Sequence, residues 1–217
     1  MTKTGDAARP TPTIEPETLA ETWVLYQKQI IIGAIVLAAG GGGFWLWQRS
    51  GQIKEEKASA AFQVAEASFM SGNQQLAVTE LEKIVTRYKG TTAGTQAAML
   101  IAQAQFEAGK HAEGIAQLEG ALGSAPAALK PGILALIGAG LEGAGKPAEA
   151  AASYGKAAAA SEFEIDRDMQ RMEQARNLVA AGDVAGARKI YEEISAREDS
   201  PFAGEAKVRI GEVTAKQ

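Results

Sequence analysis

The chain contains no cysteine. Disulfides, thiolate metal sites and cysteine nucleophiles are excluded together, and the redox state of the compartment leaves no signature. Histidine occurs once, at His111. It lies in a predicted interhelical turn with no Asp or Ser arranged around it as in a triad, so it lacks the orienting partner that catalysis needs and reads as surface decoration. Aromatic residues make up only 6% of the chain, while alanine and glycine are abundant, which suits thin helices packed closely. A clustered basic face is also missing, and the net charge is −4. Both argue against nucleic acid as a partner, because phosphates must be neutralised by grouped Lys and Arg. No stretch sustains a two-residue alternation with β-branched residues, which predicts an all-α protein without a sheet. The length of 217 residues allows one domain or two.

Charge is absent from one long run, Ile30 to Trp47, which holds 18 uncharged residues. As a helix this run rises about 27 Å, close to the roughly 30 Å hydrocarbon core of a bilayer. Lys28 and Arg49 bracket it, and Trp23, Tyr26, Trp45 and Trp47 lie near its ends, as an aromatic belt does. A cleaved signal peptide fits poorly: the run follows 29 residues that carry four acids and three bases, and aromatics with a charge follow Ala39-Gly40. A buried soluble helix fits poorly too, since such cores rarely exceed about 14 uncharged residues. The expectation is a single N-terminal transmembrane helix in contact with the lipid bilayer. Ala34, Ala38 and Gly42 form one small-residue ridge on it, and Ala39 with Gly43 a second. Such ridges permit close helix–helix docking, here against other membrane-protein subunits; incidental low complexity is the alternative. Lys54 and Lys57 join Arg49 on the C-terminal side, a count that by itself favours a cytoplasmic repeat domain, although long domains often translocate regardless.

The rest of the chain is punctuated by glycine. Gly72, Gly109, Gly145 and Gly182 are spaced by 37, 36 and 37 residues. Five residues after each stands a small residue (Ala77, Gly114, Ala150, Ala187), and nine after each a large one (Leu81, Leu118, Tyr154, Tyr191). The twelfth is Ile84, Ala121, Ala157 or Ile194. A fixed period in this range predicts stacked helical repeats, the small positions letting helices cross closely and the large ones filling the gap. The domains read as an irregular tail over 1–15, an anchor helix with a polar extension over 16–57 (membrane core 30–47), and a repeat domain over 58–217.

The pattern resembles the tetratricopeptide repeat family. In that family a glycine ends the first helix, followed by small, large and small residues at +5, +9 and +12 and often proline at +17. Gly109, Gly114, Leu118, Ala121 and Pro126 match all five positions, while Ile84 and Ile194 depart at +12. Gln105 and Leu141 stand where the first helix usually carries an aromatic. The resemblance implies an α-solenoid of about four helical pairs plus a closing helix over Pro201–Lys216. It also implies that the first helix of each pair lines a concave face. Carried across, that partner groove comprises Phe62, Phe69 and Met70, then Met99, Gln103 and Phe106, then Met169, Met172 and Arg176, with Glu66, Ala135, Ala139, Glu142 and Val179 between them. Such a surface is apolar and methionine-rich, adaptable to a protein or peptide partner. Whether it is open or filled by the protein's own helices is left undecided by the sequence.

Two other patterns imitate chemistry. Gly140 to Lys146 satisfies the G-x4-G-K spacing of a phosphate loop, but a helix precedes it and Pro147 replaces the needed hydroxyl. Glu162, Glu164, Asp166 and Asp168 lack the glycine and terminal glutamate of a calcium loop and read as a solvated helix start. No cofactor, metal site or catalytic set is expected, and hence no enzyme. Anchor plus array together resemble bacterial membrane-anchored, periplasmic tetratricopeptide proteins that serve as ancillary subunits of the Sec translocon. The resemblance implies an inner-membrane, single-pass protein with periplasmic repeats and a chaperone-like scaffold role. The alternative is a structural accessory subunit of a large respiratory or photosynthetic membrane complex.

Overall fold

The computed structural model describes residues 16–215, with side chains from Tyr26 onward except Ile30 and Gln74, and no strand occurs among them. The tail expected over 1–15 lies outside the described residues. The chain divides into two compact units, Met1–Gly51 and Gln52–Gln217. Helix α1 (Pro16–Met70) begins in the first and supplies the opening helix of the second.

Within the first unit the apolar run is helical throughout, including Gly40 to Gly43. From Ile31 to Trp47 its large side chains are all exposed, Ile31 least at 51% and Leu37 most at 77%. A β-carbon at any of those four glycines would meet nothing within 4 Å. Ala34, Ala38 and Ala39 are exposed as well, so both small-residue ridges are uncovered. At the run's C-terminal end the Arg49 guanidinium lies 5.1 Å from the Trp45 ring centroid. Cation and ring attract, and the charge is held beside the aromatic end of the run.

The second unit is a series of helical pairs: the end of α1 with α2 (Gln74–Arg87), α3 (Thr92–Glu107) with α4 (His111–Leu122), α5 (Lys130–Gly143) with α6 (Pro147–Ala160), and α7 (Glu164–Ala180) with α8 (Val184–Ser195). Helix α9 (Ala203–Ala215) closes it. Contacts run mainly between successive helices, with α3 also touching α5.

Each repeat glycine ends a helix in the left-handed region, with φ of 83° at Gly72, 74° at Gly109, 73° at Gly145 and 89° at Gly182. Only glycine enters that region without a steric cost. The same two bonds close every turn. At Gly109, its N–H donates to the Phe106 carbonyl at 2.9 Å and the Lys110 N–H donates to the Gln105 carbonyl at 2.7 Å. This satisfies carbonyls that the ending helix would otherwise orphan. The companion positions face inward: Ala77, Ala150 and Ala187 are fully buried, Gly114 is buried beside them, and Leu81, Leu118, Tyr154 and Tyr191 fill the crossings. At +12, Ile84, Ala157 and Ile194 are buried and Ala121 is half-buried.

The repeat unit starts ahead of Ala58. Glu55 accepts the Thr92 and Ala93 amides at 3.0 and 3.2 Å, capping α3, and Lys54 Nζ donates to the Lys89 carbonyl at 2.7 Å. Residues 52–57, which read as a polar extension, thus hold the turn between α2 and α3. A carboxylate on free N–H groups at a helix start satisfies orphan donors and complements the helix dipole.

Helices α3, α4 and α5 meet around Phe106. Its ring occupies the space that β-carbons on Gly114 and Gly140 would need. His111 is the first residue of α4, half-buried, with its ring stacked 5.8 Å from that of Phe106 and lying against Gly143. It is a packing residue, not surface decoration: a glycine on the next repeat leaves a flat slot that the imidazole fills. The pseudo-phosphate loop resolves in the same way. Gly140 makes room for Phe106, Gly145 forms the turn, and Lys146 pairs with Glu149 at 3.2 Å.

Candidate functional site

The residues predicted to line the groove separate into two groups. Phe62 packs against the core of the first two repeats (Leu81, Ile84, Ile101), and Met99 and Phe106 pack against Leu118 and Ile133. Met172 is buried among Ala187, Tyr191 and Ile194. Phe69 is half-buried, while Met70, at 82% exposure, Gln103, Met169 and Arg176 face outward. The aromatic and methionine content of the first helices therefore goes largely into sealing successive repeats.

The third and fourth repeats do bring predicted positions together. A shallow groove of about 620 Å³ runs between α5 and α7, floored by Tyr154 of α6 and bordered by Ala135, Ala139, Glu142, Met169 and Arg176. Tyr154 reaches it because α5 carries Gly138 at the crossing, where a β-carbon would lie 3.0 Å from the ring.

Arg176 bridges the two walls. Its Nη1 and Nη2 donate to the two Glu142 oxygens at 2.6 and 2.8 Å, and its Nε donates to Glu173 at 2.8 Å. Asn177, almost fully buried, donates to Glu142 at 3.3 Å and to the Glu173 carbonyl at 3.0 Å. The Arg176 hydrogen bonds hold the Glu142 carboxyl below the ordinary carboxylate range, against the opposing effect of burial. Burial, reinforced by the negative Glu142 and Glu173, pushes the Tyr154 phenol up to about 12. The guanidinium is thus committed to its own carboxylates.

A second groove, of about 560 Å³, adjoins the first at Met169 and Gln170. Ala127, Pro131 and Gly132 form one side, and Ser161, Phe163 and Asp166 the other. The acidic stretch beside it divides. Glu162, Glu164 and Asp166 are exposed, as a solvated helix start should be. Asp168 is buried, in an ion pair with Arg197 and accepting from the Ser200 hydroxyl at 2.7 Å. Its task is structural: it ties α7 to the loop that leads into the closing helix. The sequence could not show this, since the partners lie about thirty residues away. Among the described residues no group of three or more His, Asp or Glu side chains is placed to hold a metal.

The family model described as a tetratricopeptide repeat-like domain matches residues 21–167. The chain belongs to this family. No curated protein matches it. Among solved structures it is similar to a crystal structure of nearly identical TPR-like repeats of a putative kinesin light chain from Podosopora anserina, with 18% identity and a TM-score of 0.56 over 73% of this chain and 86% of that one. A single-substitution variant of the same protein gives 18% identity and a TM-score of 0.56 over 73% and 85%. At that identity the likeness is one of fold.

Proposed function

We propose that this protein is a single-pass membrane scaffold whose repeats hold protein partners, and that it performs no catalysis. The observation that carries the membrane reading is the wholly exposed apolar run of α1, long and apolar enough to cross a bilayer. An uncovered apolar surface of that length is a liability in water and the required surface in lipid. The family match begins at residue 21 and so takes in this run together with the repeats, which supports reading anchor and array as one functional design. The scaffold reading is supported by the repeat fold itself, whose stacked helices create extended surfaces for protein partners.

The finer reading follows from the resemblance carried by the anchor, the glycine register and the groove positions. The protein sits in a bacterial inner membrane with its repeats in the periplasm, assisting a translocon-associated complex. Ala148 is exposed on α6 and the chain has no native cysteine, so Ala148→Cys gives one addressable thiol. The expected result is labelling by a membrane-impermeant maleimide in cells with a permeabilised outer membrane and an intact inner one. Labelling only after full lysis overturns the periplasmic placement, and extraction of the protein by alkaline carbonate overturns the anchor. Client-dependent crosslinks support the chaperone-like role, whereas a stoichiometric complex after mild-detergent purification identifies an accessory subunit instead.

A further inference from the structure

The two grooves that meet at Met169 and Gln170 share an unusual balance of charge. Their linings contain four carboxylates, Glu142, Glu173, Glu162 and Asp166, and one guanidinium, Arg176. That guanidinium is already occupied by Glu142 and Glu173. The nearby Arg167 is engaged too, donating to the Ser161 carbonyl at 3.2 Å and facing Glu164 at 4.0 Å, and Lys130 lies outside the lining. Glu162 and Asp166 are exposed and have no basic partner of their own among the described residues. Field from a cleft of one sign concentrates ligands of the other.

The apolar content lies at the same place. Phe163 is 63% exposed and Met169 43%, and both line the second groove. Between the grooves stands Gln170, nine-tenths buried, with an Oε1 atom that has no hydrogen-bond partner.

We infer that the joined grooves take a cationic segment of a protein partner, seating its apolar residues on Phe163 and Met169 and its Lys or Arg side chains against Glu162 and Asp166. This rests on the reading that the repeats hold a protein partner and adds its chemical class. Long adaptable Met and exposed aromatic side chains accept varied apolar residues, so the selection is by charge.

The test is fluorescence anisotropy with the full chain in phosphatidylcholine nanodiscs, empty nanodiscs serving as the blank. The probes are a short fluorescein-labelled Leu/Lys peptide and its Leu/Glu counterpart. The Leu/Lys peptide is expected to bind about tenfold tighter at low salt, with the preference shrinking as ionic strength rises. Changing Glu162 and Asp166 together to Lys should abolish that preference. Phe163→Ser should weaken both peptides. Equal binding of the two peptides, still sensitive to Phe163→Ser, overturns the cationic class and leaves the partner-groove reading standing. Binding of neither overturns both. A preference that survives the Glu162 and Asp166 changes places the site elsewhere and overturns this assignment.

Discussion

The Cζ atom of Phe106 stands 2.5 Å from the point where a β-carbon on Gly140 would lie. Real β-carbons do not approach so closely, so ring and glycine are complementary shapes on successive repeats. Gly140→Ala should force Phe106 out of its place and destabilise the unit by about 1–3 kcal/mol, as overpacking does. Gly120 sits in α4 with open space around it, and Gly120→Ala should stabilise by about 0.5–1 kcal/mol through helix propensity alone. Thermal or urea unfolding of the pair checks both signs. Gly140→Ala combined with Phe106→Leu should recover some of the loss.

Glu55 holds α3 by its first amides. Glu55→Ala should lose about 1 kcal/mol, the range of a helix cap. The loss should be local: hydrogen exchange at the Thr92 and Ala93 amides should accelerate while amides in α7 and α8 stay protected.

Tyr154 titrates late, at about 12 against an ordinary 10.0. The folded state therefore prefers the neutral phenol. The stability tied to that proton is complete below pH 10.0 and is lost as pH rises towards about 12. Burial raises the Tyr191 phenol as well, so an absorbance titration should show late phenol ionisation from both residues, and Tyr154→Phe should remove the step near about 12 and flatten the alkaline decline in melting temperature.

Arg176 sets the opposite limb. The carboxyl of Glu142 is held below the ordinary 4.5, so its contribution is present above that pH and is lost as pH falls through the lower folded value. Arg176→Ala should let the Glu142 carboxyl return towards 4.5, readable by carbon NMR titration. Both partners keep more than a third of their side-chain surface in solvent, so the cost at neutral pH should stay within about 1 kcal/mol. Arg176→Lys should not restore the effect, because an ammonium cannot make the two-pronged contact.

The repeat register was legible because its physics is local. A chain that ends a helix in the left-handed region needs glycine there, and a close crossing needs a small residue at +5, so Gly109 with Gly114 and Gly145 with Ala150 announce themselves. What the pattern could not give was the partner of each side chain across repeats. His111, Gly140 and Asp168 all took their meaning from residues brought near only by stacking: Phe106 and Gly143, Phe106 again, and Arg197 with Ser200. The groove positions show the same division. Helical spacing assigns Met169 and Met172 to the same stretch of α7, but only the packing of α8 decides that Met172 is covered and Met169 is not. Glu55 was missed for a related reason, since its contact to α3 skips a whole helical pair in sequence.

Because each helix leans mainly on its chain neighbours, a load applied at the C-terminal end reaches α9 first, then α8, then α7. Stability in such a stack is close to a sum of repeat and neighbour-interface terms, so its links can open in succession. A repeat unit built this way should yield to tension by graded extension instead of a single rupture.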